Sequence, residues 1–218
     1  YTLTQPGFAA NITQRPLTIG GSLVVSPTKV YDQGTVSTIT DASQLTLVNV
    51  PAGDAGQPSK VALTSLAASY VNKNVGTAKT VNLTAAALTG TTASNYTITT
   101  SGAPSTTADI TQKALTVGLT TLTRVYDQTN VALAGYTTDK ISGDSVTPVY
   151  NAYYSDKNVG SGKAITTTNI TLSGTDAGNY SYNTSASTTG TITAKTLTIT
   201  INAYDKTYDQ NTSASVIY

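Results

Sequence analysis

One seven-residue phrase occurs three times in this chain, and its repetition constrains the fold more than any other sequence feature. The phrase reads KVYDQGT from Lys29, RVYDQTN from Arg124 and KTYDQNT from Lys206. An active site is normally assembled once, from residues that lie far apart in sequence. A phrase repeated in tandem instead indicates structural units made in series.

Three further phrases recur in the same order. YVNKNVGTAKTV (70–81) returns as YSDKNVGSGKAI (154–165), LTGTTASNYTI (88–98) as LSGTDAGNYSY (172–182), and ADITQKALTV (108–117) as GTITAKTLTI (190–199). These recurrences predict two complete repeats, 16–112 and 113–195. The end of a preceding repeat is predicted at 1–15 and the start of a following one at 196–218. The extra length of the first repeat falls mostly in NVPAGDAGQPSK (49–60), whose turn residues predict a loop insertion.

Composition and periodicity both indicate an all-β chain. Charged residues make up only 11% of it, and Thr, Ser, Asn and Gly supply most of the polarity. Hydrophobic residues alternate with Thr in TLTITINA (196–203) and in ALTVGLTTL (114–122), which is typical of a sheet with one buried face. Leu115, Val117 and Leu119 should share one buried face, and Leu197, Ile199 and Ile201 another. We predict tandem small antiparallel β-sandwich (Ig-like) domains in an extended rod, with β-grasp-like units carrying one short helix as the alternative.

The residue types that are absent exclude most catalytic and metal chemistry. The chain has no Cys, His, Met or Trp, so the usual ligands of zinc, haem and iron–sulfur clusters are missing, as is a histidine base. Its loops also lack the dense carboxylates of a calcium site. A net charge of +1 gives no reason to expect nucleic acid, and no run of apolar residues is long enough to insert in a membrane. We therefore predict no enzyme activity, no cofactor and no metal.

Together the four phrases resemble the YDG repeat, a family found in large secreted bacterial adhesins, including filamentous-haemagglutinin-like proteins. The resemblance covers nearly the whole chain. It implies an extracellular, cell-surface stalk module present in many copies. One departure is systematic, because Gln33, Gln128 and Gln210 stand where the family has Gly. Since Gly suggests a turn position with positive φ, this replacement puts the turn geometry in question.

The recurring residues are interpreted as structural. In the YDQ phrase, Tyr31, Tyr126 and Tyr208 are predicted to anchor in the core, while Asp32, Asp127 and Asp209 hold the turn through side-chain to backbone hydrogen bonds. In KNVG, a turn with Asn and Gly at positive φ is predicted; the alternative is an intramolecular Lys–Asn isopeptide bond. The other motif residues are Lys73, Asn74, Gly76, Lys157, Asn158 and Gly160 in KNVG, and Asn95, Tyr96, Asn179 and Tyr180 in the NY motif.

These observations favour a stiff repeated spacer in a secreted bacterial surface adhesin, acting in adhesion or in a biofilm matrix. Its expected partners are neighbouring repeats of the same chain and like chains in a filament. The alternative is a carbohydrate-binding repeat that recognises matrix or host glycans. Tyr153 is the candidate glycan contact, because in VYNAYY it faces away from Tyr150 and Tyr154 on a predicted strand.

Overall fold

The protein is all-β. The computed structural model describes Tyr1, Gly7, residues 9–213 and residues 216–217. These residues form β-strands and two short 3₁₀ turns, Ala93–Asn95 and Ala177–Asn179, and none of them forms an α-helix. The short helix that a β-grasp unit needs is thus not found in this part of the chain, and no described helix could cross a membrane. The predicted preceding repeat at 1–15 falls partly on 2–6 and 8, which lie outside the described residues.

The strands are short and follow the repeats. Those before residue 112 are β1 (Arg15–Gly21), β2 (Val24–Val25), β3 (Thr28–Val30), β4 (Val36–Ser37), β5 (Ile39–Asp41), β6 (Leu45–Val48), β7 (Ala62–Tyr70), β8 (Gly76–Thr89), β9 (Tyr96–Ile98) and β10 (Ser105–Thr111). Those that follow are β11 (Lys113–Leu115), β12 (Val117–Leu119), β13 (Leu122–Val125), β14 (Val131–Ala132), β15 (Tyr136–Thr138), β16 (Thr147–Val149), β17 (Ala152–Tyr154), β18 (Gly160–Thr167), β19 (Thr171–Ser173), β20 (Tyr180–Tyr182), β21 (Ala186–Thr193), β22 (Asn202–Ala203) and β23 (Val216–Ile217).

The chain divides into two compact units that do not follow the repeat boundaries. The first unit comprises Tyr1–Leu115, Asp139–Thr147 and Ser173–Tyr182, and the second comprises Thr116–Thr138, Pro148–Leu172 and Asn183–Tyr218. The first unit therefore includes three segments of the second predicted repeat: 113–115, Asp139–Thr147 and Ser173–Tyr182.

Each unit contains one curled five-stranded sheet. In the first unit its order is β3-β10-β8-β7-β4, and in the second it is β13-β21-β18-β17-β14. The two orders correspond strand for strand, as expected of a tandem repeat.

The prediction of antiparallel sheets holds only in part. Most pairs are antiparallel, but β3 with β10, β13 with β21, β1 with β9 and β11 with β20 are parallel. In each parallel pair, a strand from the start of a repeat lies beside one from its end. Such pairs require long connections, which is why alternation within single strands could not reveal them.

The predicted buried face of ALTVGLTTL is confirmed, because Leu115, Val117 and Leu119 are all buried. The second unit's core combines Leu119 with Tyr154, Ile165 and Ile192.

The corresponding prediction for TLTITINA is wrong. Leu197, Ile199 and Ile201 are 84%, 75% and 62% exposed, and only Asn202–Ala203 of that stretch is a strand. The equivalent leucines of the two repeats, Leu17 and Leu115, lie in strands that pair with β9 and β20 of their own repeats. Among the described residues, only β23 pairs with this stretch. Alternation specifies a buried face only where strands are present to cover it.

Candidate functional site

The YDQ phrase folds into the same locally fastened turn in all three copies. The basic residue that opens the phrase forms an ion pair with the Asp three residues later: Lys29 with Asp32, Arg124 with Asp127, and Lys206 with Asp209. Each Asp also accepts a hydrogen bond from the backbone N–H two residues further on, over 2.8 Å from Gly34, 2.9 Å from Thr129 and 3.1 Å from Asn211. Side-chain to backbone bonds of this kind favour turns over strands.

The Gln in the phrase keeps the backbone conformation for which Gly would be preferred. The φ angles of Gln33, Gln128 and Gln210 are 67°, 73° and 66°, all in the left-handed region. The Gly-to-Gln departure therefore does not alter the turn. It does add a side chain, and the left-handed conformation costs a residue with a side chain about 1–2 kcal/mol in backbone strain.

In the first copy, the YDQ side chains reach a buried carboxylate, Asp144. Tyr31 and Asp144 are both buried, and the Tyr31 hydroxyl donates to Asp144 Oδ1 over 3.0 Å. Gln33 Nε2 donates to the same oxygen over 2.8 Å and to the Ser142 carbonyl over 2.9 Å. The Tyr180 hydroxyl donates to the other carboxylate oxygen over 2.5 Å. Three side chains thus satisfy a carboxylate whose burial would otherwise be costly.

Lys73 of the KNVG phrase lies beside the same carboxylate. Its Nζ is 2.8 Å from Asp176 Oδ1 and 3.5 Å from Asp144 Oδ1, and it lies 5.8 Å from the centre of the Tyr31 ring. The Tyr31 and Tyr180 rings meet edge to face, with centres 5.6 Å apart. One lysine therefore lies close to two carboxylates and the face of an aromatic ring.

Asn179 completes the arrangement. Its Oδ1 accepts from the Val75 backbone N–H over 2.9 Å, and its Nδ2 donates to Asn74 Oδ1 over 3.4 Å. We call these seven residues the junction cluster: Tyr31, Gln33, Lys73, Asp144, Asp176, Asn179 and Tyr180. All seven belong to the first compact unit.

The electrostatics of the junction cluster hold its groups in fixed charge states. Burial would raise the pKa of Asp144, but hydrogen bonds from Tyr180, Gln33 and Tyr31 outweigh it and lower that pKa. Lys73, followed by the Ser145 backbone N–H, lowers the pKa of Asp176. Hydrogen bonding to Asp176 raises the pKa of Lys73. Burial and the bond to Asp144 raise the pKa of Tyr180 to about 12. At neutral pH the cluster therefore holds two carboxylates, one ammonium and two neutral phenols.

The contacts of Lys73 are ion pairs with Asp176 and Asp144. The side chain of Asn74 is in hydrogen-bond contact with Asn179. The arrangement is suited to holding chain segments together.

The NY motif of the first repeat is built similarly, around a different carboxylate. The Tyr96 hydroxyl donates to Asp54 Oδ2 over 2.7 Å, as Tyr180 does to Asp144. Thr92 stands where the second repeat has Asp176, and it donates to Asp54 over 2.9 Å. Asp54 lies between β6 and β7, in the predicted loop insertion, and is 3.5 Å from Lys60.

The equivalent motif residues differ in exposure between the repeats. Asn179 and Tyr31 are buried, whereas Asn95 is exposed and Tyr126 is partly exposed. Lys73 is partly buried, whereas Lys157 and Asn158 are exposed. Tyr208, of the third copy, is 86% exposed, so the prediction that it anchors in a core is wrong in the described structure.

The predicted positive φ angles in KNVG are displaced along the chain. Positive φ is not found at Asn74, Gly76, Asn158 or Gly160. It occurs instead two residues after each glycine, at Ala78 (47°) and Gly162 (65°). The Asn residues are held differently, because the Asn74 N–H donates to Asn72 Oδ1 and the Asn158 N–H to Asp156 Oδ1. Gly76 and Gly160 begin β8 and β18.

The tyrosines of VYNAYY separate as alternation predicts. Tyr154 is buried and its hydroxyl donates to the Leu122 carbonyl over 2.9 Å. Tyr150 is partly buried and donates to the Ala134 carbonyl over 2.7 Å. Tyr153 is 45% exposed. It helps line a groove of about 240 Å³ together with Leu133, Tyr150 and Asn151.

Sequence reasoning missed the two acidic residues of the junction cluster. Asp144 lies in SGDS, where the two repeats differ in length, so no repeat equivalence singles it out. Asp176 did carry a signal, since it replaces Thr92 within an otherwise shared motif. Among the described residues, no group of three side chains is arranged to hold a metal ion.

The comparison with protein families agrees with the repeat structure. The sequence profile of the YDG domain matches residues 13–107 and 111–189. The chain belongs to the YDG-domain family. Within the two YDG matches, Tyr31, Gln33 and Lys73 fall in the first copy, and Asp144, Asp176, Asn179 and Tyr180 fall in the second. The junction cluster therefore joins residues of both YDG copies. No curated protein and no solved structure was found to match the chain.

Proposed function

We propose that this YDG-domain protein is a structural stalk module of a secreted bacterial surface adhesin. It acts outside the cell, as a stiff repeated spacer in adhesion or in a biofilm matrix. In this proposal its repeats are Ig-like sandwiches that follow one another along the stalk. The observation that carries the proposal is the junction cluster, which ties two segments of the second YDG copy to the first within one compact unit.

Contacts across the boundary between successive repeats determine how strongly the chain resists bending there. Two repeats joined only by a linker can move freely, because few contacts cross such a boundary. Here a buried carboxylate accepts from Tyr31 and Gln33 of one copy and from Tyr180 of the next. Separating the two copies would break the hydrogen bonds from Tyr31 and Gln33 to this carboxylate, each worth about 1.5–3 kcal/mol. A repeated connection of this kind suits a chain that must keep its extension under load.

Two measurements test the proposal. An antibody raised against residues 16–195 should label intact cells of the source organism; labelling that appears only after lysis would contradict a surface role. Force spectroscopy of a tandem array should then show a lower unfolding force for Asp144→Asn than for the parent array. Asp205→Asn, a change at an exposed acid, is the matched control. Equal forces for all three arrays would contradict a mechanical role for the junction cluster.

A carbohydrate-binding repeat is the second candidate, favoured by the half-exposed Tyr153 and its groove. Aromatic faces beside amide groups are suited to sugar rings, and Asn151 lies in the same groove. A glycan array should then show binding that Tyr153→Ala abolishes and Tyr204→Ala preserves, since Tyr204 is exposed and lies outside the groove. Absence of binding by the parent chain would rule this candidate out.

A further inference from the structure

In the five-stranded sheet of the second unit, the strand that comes first along the chain, β13, pairs with the one that comes last, β21. The two strands run in the same direction. Four residue pairs join them, from Leu122 with Gly190 to Val125 with Thr193. The Tyr126 N–H extends the ladder by donating to the Thr193 carbonyl over 2.9 Å. The chain therefore enters β13 at one end of this ladder and leaves β21 at the other.

This pairing determines how the sheet responds to tension along the chain. A pull on the segments before β13 and after β21 slides the two strands past each other. Because the hydrogen bonds of a parallel pair are evenly spaced along the strands, sliding stretches all of them at the same time. A pull applied at one end of the ladder would instead open the bonds one after another. The ladder therefore resists tension along the chain better than it resists peeling.

The first repeat has the same arrangement. There β3 is the first strand of the five-stranded sheet and β10 the last, and three residue pairs join them in parallel. The Tyr31 N–H donates to the Thr111 carbonyl over 2.9 Å, as the Tyr126 N–H does to that of Thr193. Both β3 and β13 are edge strands, so each is held in its sheet by this one ladder.

A single residue connects the last strand of the first repeat to the first strand of the second. β10 ends at Thr111, and β11 begins at Lys113 and is itself parallel to β20. Between them, Gln112 Nε2 donates to the Gly178 and Tyr180 carbonyls, over 3.1 Å in each case. Tension that leaves the first repeat therefore reaches the second without passing through a flexible linker.

We propose that the pairs β13–β21 and β3–β10 are mechanical clamps, one in each repeat, that keep the repeats folded when the chain is under tension. Each clamp resists by the shear of a parallel backbone ladder, whereas the junction cluster joins side chains of the two copies. Gly190 allows the clamp strands to approach closely, because a Cβ at this position would lie 2.3 Å from the Leu122 carbonyl oxygen. This inference deepens the proposed stalk role and rests on it.

Force spectroscopy of the whole chain in two pulling directions tests the clamp. The chain has no cysteine, so a pair of introduced cysteines defines where the force is applied. Thr121→Cys with Ala194→Cys pulls β13 and β21 from opposite ends, and Gln128→Cys with Ala194→Cys pulls both from the same end; all three positions are exposed. We expect an unfolding force about two- to fourfold higher in the first geometry, because four residue pairs resist together. Equal forces, or a higher force in the second geometry, would overturn the inference.

Urea unfolding of the two double-cysteine variants is the control. Forced unfolding depends on the unfolding rate, so two variants with the same free energy of unfolding can still differ in force. A force difference no larger than a difference in their free energies of unfolding explains would also overturn the inference. Labelling of intact cells tests the stalk role separately, because its failure would remove the surface role and leave the measured clamp in place.

Discussion

Asn179 and Asn95 hold the same position in successive repeats, yet Asn179 is only 4% exposed while Asn95 lies at the surface. The local backbone is alike, because both residues end a 3₁₀ turn that leads into a strand. What differs is the KNVG segment, which bonds to Asn179 through Asn74 and Val75. The Asn of a shared motif is therefore buried in one repeat and exposed in the other, while the Tyr that follows it is buried in both.

The glutamines of the first two YDQ turns, Gln33 and Gln128, should respond oppositely to glycine. Both changes relieve about 1–2 kcal/mol of left-handed strain, while glycine costs about 0.5–1 kcal/mol in chain entropy. Only Gln33→Gly also removes a hydrogen bond to a carboxylate, worth about 1.5–3 kcal/mol. Urea unfolding should thus show that Gln128→Gly raises the free energy of unfolding by about 0.5 kcal/mol and that Gln33→Gly lowers it by about 1–2 kcal/mol. A loss of equal size in both variants would contradict the role of Gln33.

Replacing Asp144 should destabilise the first compact unit strongly. Asp144→Asn preserves shape, but an amide cannot accept all the hydrogen bonds that Tyr31, Gln33 and Tyr180 donate to the carboxylate. Removing one partner from a buried charged network costs about 3–5 kcal/mol. Thermal unfolding should show the loss, and Asp205→Asn should leave the midpoint unchanged. A midpoint shift no larger than that control's would count against a buried network.

The free energy of unfolding should fall in acid because of the carboxylates of Asp144 and Asp176. The pKa values of Asp144 and Asp176 are lower in the folded chain than the ordinary value of 3.8. The folded state therefore binds protons less readily than the unfolded state. The lowered pKa values therefore stabilise the folded state fully above pH 3.8, and this stabilisation is lost as the pH falls through the lowered pKa values. Urea unfolding near pH 6 and near pH 3 should show a smaller loss for Asp176→Asn than for the parent; equal losses would contradict the linkage.

The free energy of unfolding should also fall at alkaline pH, as the Tyr180 hydroxyl ionises. Its pKa is raised from 10.0 to about 12 in the folded chain, so the folded state holds the phenolic proton more tightly. The resulting stabilisation is complete below pH 10 and disappears as pH rises to about 12. Tyr180→Phe should weaken this dependence without abolishing it, because burial also raises the pKa of Tyr31, Tyr150 and Tyr154. The change should cost about 2 kcal/mol at neutral pH, because Asp144 loses a donor and the Ile141 N–H loses an acceptor. The exposed Tyr204→Phe should retain the parent profile.

The turn that follows KNVG can be tested by opposite substitutions at the same position of the two repeats. Ala78 and Gly162 are equivalent and both have positive φ, which only glycine adopts without strain. Ala78→Gly should raise the free energy of unfolding by about 0.5 kcal/mol, and Gly162→Ala should lower it by about 1 kcal/mol. Calorimetry of the two single variants tests this. Destabilisation by both changes would show that the two turns are not equivalent.

The sequence was sufficient to predict the repeats, the all-β class and the buried face at Leu115, Val117 and Leu119, because those features depend on local periodicity. The parallel strand pairs could not be predicted, since each joins the start of a repeat to its end. The junction cluster was also missed, although five of its seven residues lie in recurring motifs. Its centre, Asp144, lies where the repeats cannot be aligned, and a buried carboxylate is recognisable only once its donors are known.

The ion pairs of the YDQ turns have a consequence for the order of folding. Lys206 and Asp209 make the same contact as their counterparts, although the neighbouring Tyr208 is exposed. The turn therefore needs only residues close in sequence and does not depend on a completed core. Contacts of such short span form early, while those that bring a repeat's first and last strands together form late. As the chain emerges from the ribosome, the YDQ turn at Tyr31 should close first and position this tyrosine before the strands that will bury it have been synthesised.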